Sequence, residues 1–306
     1  MTDIDTTIIE LIKQNKSIKD ICNILDISEK EFYIRYKKII EYGYQILPEY
    51  HYNGNIYYDI KNKVIETRNN ELSLKIPNTA KEFRCVVVSD GHKGNIASDD
   101  RYINEVYEYA VKNNIHIVLM CGDMIEGTHS SDRKNIHDMY EQIEEFIDKY
   151  PYDKSIMNFG ILGNHEHHFL RYDGLDVIKT ITNARYDMVL LGYGNGILRL
   201  KNDSILLKHN LGKKSEEIEN DAKIILSGHG HMMKTKVYDR LVLCVPTLSK
   251  VSPDKTKEVT PGFIDLKILF ERGKFDYLEA RHLAFIPNIS EVSETRTKIK
   301  TYFKEI

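Results

Sequence analysis

Residues 83–92 read "FRCVVVSDGH", and this stretch decides how the chain is expected to fold. Its first part, "FRCVVVS", is a short apolar run rich in β-branched residues, which is typical of a strand buried on both faces. Asp90 and His92 follow at once, and both side chains can bind a metal ion. Gly91 between them allows the backbone to turn sharply. The stretch therefore predicts a strand of an α/β sheet that carries functional side chains at its carboxyl end.

Four further apolar runs downstream end in the same way. In chain order, "IVLMC" precedes Gly122 and Asp123, "NFGIL" precedes Gly163, Asn164, His165 and Glu166, "SILLK" precedes His209, and "KIILS" precedes Gly228, His229, Gly230 and His231. Functional groups gather at the carboxyl ends of strands in α/β sheets, so we expect these side chains to meet at one site. Imidazoles, carboxylates and an amide oxygen suit Mn²⁺, Fe or Zn²⁺, and the scarcity of thiolates argues against a soft-metal site.

The complete order, D-x-H, G-D, G-N-H-E, H and G-H-x-H, resembles the calcineurin-like metallophosphoesterase superfamily over roughly residues 83 to 250. The resemblance implies an α/β fold in which two packed mixed β-sheets are flanked by helices. It also implies two divalent metal ions, with Mn²⁺ expected first and Fe or Zn²⁺ as alternatives. The implied ligands are Asp90, His92 and His231 for the first metal, Asn164, His209 and His229 for the second, and Asp123 for both.

The reaction that the resemblance implies is hydrolysis of a phosphoester by a hydroxide that bridges the two metals. His165 would stabilise the transition state or protonate the leaving oxygen. Members that act on phosphoproteins carry an arginine in G-D-x-x-D-R, whereas this chain reads "GDMIEG", which weakens that assignment. "DGHKGN" and "GDMIEG" are more similar to nuclease-like members and archaeal polymerase small subunits. Together with the helix-turn-helix-like N-terminal segment described below, this favours a nucleic-acid phosphodiester, with DNA as the expected substrate.

Two segments beside the expected ligands carry candidate substrate-binding side chains, and both are expected to form loops. The segment after Asp123 contributes His129 and Arg133, and the segment after Asn164 contributes His168 and Arg171. An arginine guanidinium matches the geometry of phosphate oxygens.

Residues 1–46 are expected to form a small all-α domain of three short helices that looks like a helix-turn-helix unit. Ser17 is the expected N-cap of the second helix, and Ser28 with Glu31 forms a capping box for the third. The third helix would present the side chains that a DNA groove reader needs, namely Lys30, Tyr33, Arg35, Lys37 and Lys38. A bundle used for packing or oligomerisation is the alternative, because acidic residues offset the basic ones.

The other boundaries follow from changes in the sequence pattern. Residues 47–80 alternate around an Asn-Gly dipeptide and predict an extended connector or a hairpin, whose tyrosines more often pack than stack on bases. Residues 81–287 form the expected phosphoesterase domain, and residues 288–306 are expected to be a C-terminal helical tail. The net charge of −3 confines any nucleic-acid binding to local patches.

The sequence also limits where the protein is expected to work. It lacks an apolar run of 18 residues and a signal-like start, and its four cysteines are far apart. These features favour a soluble cytoplasmic protein without a membrane partner, and they leave a homo-oligomer open as its assembly.

Three hypotheses about function remain open at this point. The first is a metal-dependent nuclease acting on DNA. The second is a nucleotide phosphodiesterase or phosphatase for small substrates, with the N-terminal helices used for oligomerisation. The third is a DNA-binding regulator with a structural metal centre, which the ligand set disfavours because a structural site rarely needs two open metals.

Overall fold

The computed structural model describes residues 2–41, 46–60, 70–127, 138–210, 221–237, 240–252, 259–285 and 292–300. Its helices are α1 Asp3–Lys13, α2 Ile18–Leu25, α3 Glu29–Glu41, α4 Asp100–Lys112, α5 Met139–Lys149, α6 Asn164–Asp173 and α7 Val177–Ala184. Its strands are β1 Ile46–Tyr50, β2 Ile56–Ile60, β3 Glu71–Leu74, β4 Glu82–Val88, β5 Ile117–Cys121, β6 Met157–Leu162, β7 Met188–Tyr193, β8 Asn195–Leu200, β9 Asp203–His209, β10 Ile224–Gly228, β11 Lys234–Val237, β12 Leu241–Cys244, β13 Gly262–Glu271, β14 Lys274–Phe285 and β15 Val292–Lys300. None of the helices in these ranges is long and apolar enough to cross a membrane.

Two mixed sheets pack face to face. One has seven strands in the order β15-β14-β13-β4-β5-β6-β7, and the other has six in the order β11-β12-β10-β9-β8-β3. A shared core fills the space between them, with Val87 and Leu119 from the first sheet against Leu207 and Leu226 from the second. This agrees with the predicted fold class of two mixed β-sheets flanked by helices.

The first sheet owes its centre to parallel strands joined through helices. Strands β4, β5, β6 and β7 run parallel, with α4, α5, α6 and α7 in the connections between them. Helices α4, α5 and α7 bury Val106, Phe146 and Ile181 in a second core shared with Val86 and Val118 of the sheet. Because each central strand is covered on both faces, its residues form the near-continuous apolar runs seen in the sequence.

The N-terminal helices form as the sequence predicts. Ser17 caps α2 by accepting a hydrogen bond from the backbone N–H of Asp20. Asp26, in the left-handed region with φ of 51°, ends α2, and the turn before α3 is three residues long. The Ser28 hydroxyl accepts a bond of 3.1 Å from the backbone N–H of Glu31, which is one half of the predicted capping box, whereas the Glu31 carboxylate pairs with Arg35. The three-helix prediction for the N-terminus is therefore confirmed, and its DNA-binding role stays a prediction.

The connector after these helices contains the predicted hairpin. Strands β1 and β2 pair antiparallel, and Gly54 occupies the turn with φ of 75°. The tyrosines pack, as expected: Tyr58 is buried and stacks on Tyr36 with ring centroids 4.6 Å apart. Tyr50 meets Phe159 of β6 edge to face, with centroids 5.5 Å apart. The hairpin therefore joins the helices to the core between the sheets.

The predicted helical tail is wrong for residues 292–300, which form β15 on the edge of the seven-stranded sheet. Strand β14 would otherwise leave a long row of unpaired N–H and C=O groups, and a further strand satisfies them. The tail segment is rich in β-branched residues, which favour this pairing. The helix was predicted because Ser290 and Ser293 each resemble a helix N-cap. The rest of the tail lies outside the described residues.

Candidate metal centre

Five strand ends from both sheets meet at one site. Strands β4, β5 and β6 of the first sheet carry Asp90, Asp123 and Asn164 just beyond their carboxyl ends. In the second sheet β9 ends on His209, and His229 follows directly after β10. Strand β5 contacts both β9 and β10 across the core, which brings the two sets of strand ends together.

The backbone at these positions is held in an uncommon conformation. Five side chains of the expected ligand set have left-handed φ values, namely Asp90 at 55°, His92 at 48°, Asp123 at 51°, His229 at 71° and His231 at 50°. A residue other than glycine costs about 1–2 kcal/mol in this region, somewhat less for Asp, which tolerates it best. Such strain concentrates at functional sites, where the surrounding structure enforces it. The turns therefore aim these side chains at a common point at the expense of stability.

Asp90, His92 and His231 form the first group. Nε2 of His231 lies 3.2 Å from Oδ1 of Asp90 and 3.1 Å from Nε2 of His92. Both imidazoles use their Nδ1 elsewhere: His92 contacts Oε2 of Glu126 at 2.7 Å, and His231 contacts the carbonyl of Val251 at 2.6 Å. An Nδ1–H that donates to such an acceptor leaves the Nε2 lone pair facing the site, as in metal-binding histidines.

The contact between Nε2 of His92 and Nε2 of His231 shows whether the first group of side chains fits a cation. Two lone pairs 3.1 Å apart repel each other unless a cation or a proton lies between them. The carboxylate of Asp90, which is fully buried, adds a negative charge beside them. The donor set of two imidazoles and one carboxylate therefore fits a divalent metal ion.

Asp123, His209 and His229 form the second group, with Asn164 beside it. Nε2 of His209 lies 2.8 Å from Oδ2 of Asp123 and 3.1 Å from Oδ1 of Asn164. Its Nδ1 lies 2.8 Å from the carbonyl of Cys121, so Nε2 again faces the site. The rings of His209 and His229 are 5.0 Å apart. The structure thus brings together all seven expected ligands, in the two groups that the sequence suggested.

The electrostatics of the site favour a positive charge. Burial lowers the pKa of His209, but its hydrogen bond to Asp123 outweighs this and raises the pKa to about 9. For Asp123, burial raises the pKa. The hydrogen bond to His209 and the neighbouring imidazoles outweigh the effect of burial, so the pKa lies well below its usual range. A metal ion would replace the proton held by His209, so metal binding here releases a proton.

His165, the expected catalytic residue, lies in the same site. Its Nε2 is 3.8 Å from Oδ2 of Asp123, and its backbone N–H donates to Oδ1 of the same carboxylate at 3.0 Å. Its Nδ1 contacts the backbone carbonyl of Glu126, and its ring meets that of His92 edge to face at 4.8 Å. The side chain remains partly exposed, so a substrate can reach it.

Four supporting residues were given no role from the sequence, although Glu166 was named there as part of "GNHE". Glu126 orients His92, and Glu166 is fully buried and accepts the backbone N–H groups of Asp123, Ile125 and Gly163. Burial and the charge of Asp123 raise the pKa of Glu166 to about 7. The hydroxyls of Thr247 and Ser249 donate to the backbone carbonyl of Asp90. The acidic residues in "GDMIEG" and "GNHE" were the available signal, whereas the hydroxyls lie more than 150 positions from Asp90 and gave none.

One of the two segments that were expected to form substrate-binding loops is a helix. His168 and Arg171 lie on helix α6, so the expectation of a loop after Asn164 is wrong. Gly163 begins this helix, and Gly174 ends it with a left-handed φ of 68°. The polar composition concealed the helix, because a short helix beside a functional site lacks a regular apolar stripe. His129 and Arg133 lie outside the described residues.

Helix α3 is less exposed than the sequence suggested. Lys30, Lys37 and Lys38 are exposed, and the Lys37 ammonium donates to the carbonyl of Asn183 at the end of α7. The expectation of an exposed Tyr33 is wrong, because its ring stacks on Tyr186 with centroids 4.5 Å apart.

Arg35 is also engaged within the chain. Its guanidinium pairs with Asp5 at 3.3 Å and with Glu31 at 2.9 Å, and the side chain is about one fifth exposed. A charge that is already neutralised by two carboxylates is a weak ligand for phosphate. One side of α3 is therefore used for packing against the rest of the chain.

The chain is similar in sequence or in fold to several known proteins. The sequence model of the family described as calcineurin-like phosphoesterase matches residues 83–233. An uncharacterized metallophosphoesterase of Campylobacter jejuni is 25% identical over 202 residues, which are 58% of this chain and 51% of the relative. The chain therefore spans about half the length of that curated relative.

Solved structures with similar folds are more distant in sequence. A single mutant of Vps29 from Entamoeba histolytica is 13% identical, with a TM-score of 0.42 over 71% of this chain and 100% of that one. The phosphoesterase YfcE from E. coli is 13% identical, with a TM-score of 0.38 over 64% of this chain and 98% of that one. The nuclease MPE of Pseudomonas putida is 13% identical, with a TM-score of 0.34 over 74% of this chain and 96% of that one. Through its family match over residues 83–233, the chain contains a calcineurin-like phosphoesterase domain.

Proposed function

We propose that this chain is a phosphodiesterase that depends on two divalent metal ions and that its substrate is DNA. One observation carries the proposal: three imidazoles are tethered at Nδ1 and direct Nε2 towards Asp90 and Asp123. Such tethering is the usual arrangement behind metal-binding histidines, and it is difficult to explain in a site that binds only water.

The residues form two sets of metal ligands, and one carboxylate would be shared by both ions. Asp90, His92 and His231 would hold one ion, Asn164, His209 and His229 the other, and Asp123 both. The mixed nitrogen and oxygen donors favour Mn²⁺, with Fe or Zn²⁺ as alternatives. When bound, two such cations withdraw charge from a phosphate and make water more acidic.

His165 is placed to handle the proton of the leaving group. Its Nδ1 is held by the carbonyl of Glu126, so Nε2 is the atom that faces the site. A proton on Nε2 can pass to the leaving oxygen as its bond to phosphorus breaks. The carboxylate of Asp123 lies 3.8 Å from the same Nε2.

The charge of Glu126 supports a diester rather than a monoester substrate. The residue is buried, and its hydrogen bond to His92 keeps its pKa below the usual range although burial raises it, so the carboxylate is ionised. A phosphomonoester carries up to two negative charges near neutral pH, whereas a diester carries one. A fixed anion beside the site disfavours the more highly charged substrate.

Contacts with DNA remain part of the proposal. Arg133 and His129, which lie outside the described residues, are proposed to contact the phosphate backbone. The exposed Lys30, Lys37 and Lys38 would add contacts from the helix-turn-helix-like unit. These contacts are expected to be sensitive to salt, because they replace counterions on the phosphates.

Hydrolysis assays test the proposal directly. We would measure turnover of bis-(p-nitrophenyl) phosphate and of labelled single- and double-stranded DNA with Mn²⁺ or with chelator. Wild-type protein should cleave both with Mn²⁺ only, and His92→Ala and Asp123→Asn should abolish both while thermal unfolding stays cooperative. His116→Ala is the matched control, since His116 lies at the amino end of β5, away from the site.

The outcomes separate the hypotheses. Cleavage of the small diester alone would replace DNA by a small nucleotide as the substrate. Full activity in both site variants, or equal activity in chelator, would overturn the metal mechanism.

A further inference from the structure

We propose that the exposed face of helix α6 is a platform for single-stranded nucleic acid that leads away from the metal centre. The platform consists of His168, Arg171 and Tyr172. The inference rests on the proposed function, because it extends the same site by naming the form of nucleic acid that it accepts.

The platform is continuous with the site. Asn164 is the first residue of α6, and its Oδ1 lies 3.1 Å from Nε2 of His209. His168, Arg171 and Tyr172 follow it at four, seven and eight positions, a spacing that keeps side chains on one face of a helix. A chain bound at the metals can therefore continue along this face without leaving the protein surface.

The side chains of the platform are arranged against one another. The rings of His168 and Tyr172 meet edge to face with centroids 5.4 Å apart. The guanidinium carbon of Arg171 lies 5.6 Å from the centre of the Tyr172 ring. Tyr172 nevertheless stays 67% exposed. A large aromatic ring held in place by its neighbours yet open to solvent is suited to stack on a ligand.

The chemistry of the platform selects the ligand. An aromatic ring accepts any nucleobase by stacking, and an arginine beside it binds the phosphate between two bases. Stacking requires an accessible base face, which a single strand offers and an intact duplex conceals. The combination thus favours a single strand over a duplex.

The length of the helix fixes how long the ligand must be. Eight residues at about 1.5 Å each place Tyr172 about 12 Å along the helix axis from Asn164. A stacked strand rises about 3.4 Å per nucleotide, so this distance corresponds to roughly three or four nucleotides. A dinucleotide bound at the metals would not reach Tyr172, whereas an octanucleotide would.

The test compares substrates of different length in the full chain with Mn²⁺. For Tyr172→Ala, the ratio of kcat/KM for a DNA octanucleotide to kcat/KM for bis-(p-nitrophenyl) phosphate should fall about 5- to 100-fold, as expected for the loss of one base stack. Tyr172→Phe should keep the ratio, because phenylalanine also stacks. Leu170→Ala is the control, since Leu170 is exposed on a different face of α6.

A binding measurement separates this inference from the proposed function. Fluorescence anisotropy of a labelled octanucleotide in chelator needs no turnover, and Tyr172→Ala should weaken that binding while Leu170→Ala does not. If wild-type protein fails to cleave the small diester but Tyr172→Ala still weakens binding, the proposed function fails and the platform stands. The inference would be overturned if Tyr172→Ala and wild type had the same ratio of kcat/KM values and bound the octanucleotide equally well. It would also be overturned if Tyr172→Ala lost as much affinity for duplexes as for single strands.

Discussion

Replacement of Gly163 by alanine tests whether the position of Asp123 controls the metal centre. A Cβ at Gly163 would lie 2.1 Å from Oδ1 of Asp123 and 2.7 Å from its backbone nitrogen. Ordinary contacts begin near 3.4 Å, so the carboxylate oxygen must move by about 1.3 Å, the difference between 3.4 and 2.1 Å. Metal ligands tolerate about 0.2 Å, and a misplacement of about 1 Å in an active site costs roughly 100-fold in rate. The φ of −94° at Gly163 suits alanine, so backbone strain does not add to the effect.

We expect Gly163→Ala to lower kcat/KM for bis-(p-nitrophenyl) phosphate with Mn²⁺ by about 100-fold and to weaken Mn²⁺ binding in calorimetry. Gly230→Ala is the matched control in the "GHGH" segment, because its Cβ would meet only Cγ of Met232 at 3.8 Å. Urea unfolding of each variant would separate a local effect from loss of the fold. Wild-type Mn²⁺ affinity and turnover in Gly163→Ala, or equal damage in Gly230→Ala, would refute the reasoning.

Three other perturbations probe different parts of the molecule. Arg185→Ala should lower the free energy of unfolding in urea by about 3–5 kcal/mol, because it removes the cation paired with the buried carboxylate of Asp187 and unpairs several carbonyls. A loss no larger than that of Arg101→Ala, which removes an exposed side chain, would contradict this. Burial lowers the pKa of His282 below 6.5, so the unfolded state binds the proton first and stability falls as the pH drops below 6.5. Wild type should therefore lose more stability than His282→Leu between pH 7.5 and 5.5, and parallel losses would argue against a role for His282. Glu126→Gln should reduce the preference for bis-(p-nitrophenyl) phosphate over p-nitrophenyl phosphate by roughly tenfold, since it removes a fixed charge near the phosphate, and an unchanged preference would exclude that electrostatic role.

The groups that contact the candidate metal ligands could not be predicted from the sequence. The carbonyls that tether the histidines belong to Cys121 and Val251, and a backbone carbonyl leaves no mark on residue type. The hydroxyls of Thr247 and Ser249 reach Asp90 only because the chain returns to it after β12, the last strand of the six-stranded sheet. Long-range contacts of this kind are fixed by packing, so no local pattern predicts them.

At β15 and α6 the local preference of the sequence differed from the structure that tertiary contacts favour. Ser290, just before residues 292–300, and Ser293, within them, resemble a helix N-cap, yet the open edge of β14 makes a strand the better solution. Helix α6 has too few apolar residues for a helical stripe, but Phe169 anchors it in the core and Glu166 satisfies the backbone at its start. In both cases tertiary contacts outweighed a weak local preference.

The sequence alone determined which apolar runs along the chain form the strands at the site and which residues follow each of them. A buried strand needs a continuous apolar run, and the close approach of neighbouring groups at Gly122 and Gly228 leaves no room for a side chain, so both leave local marks beside Asp123 and His229. The tertiary structure alone decided how the two sheets bring these ends within bonding distance, which imidazole nitrogen faces the site, and that α6 continues the site as an exposed face. Those features depend on contacts between residues far apart in the chain, whose geometry is set by the packing of the whole core.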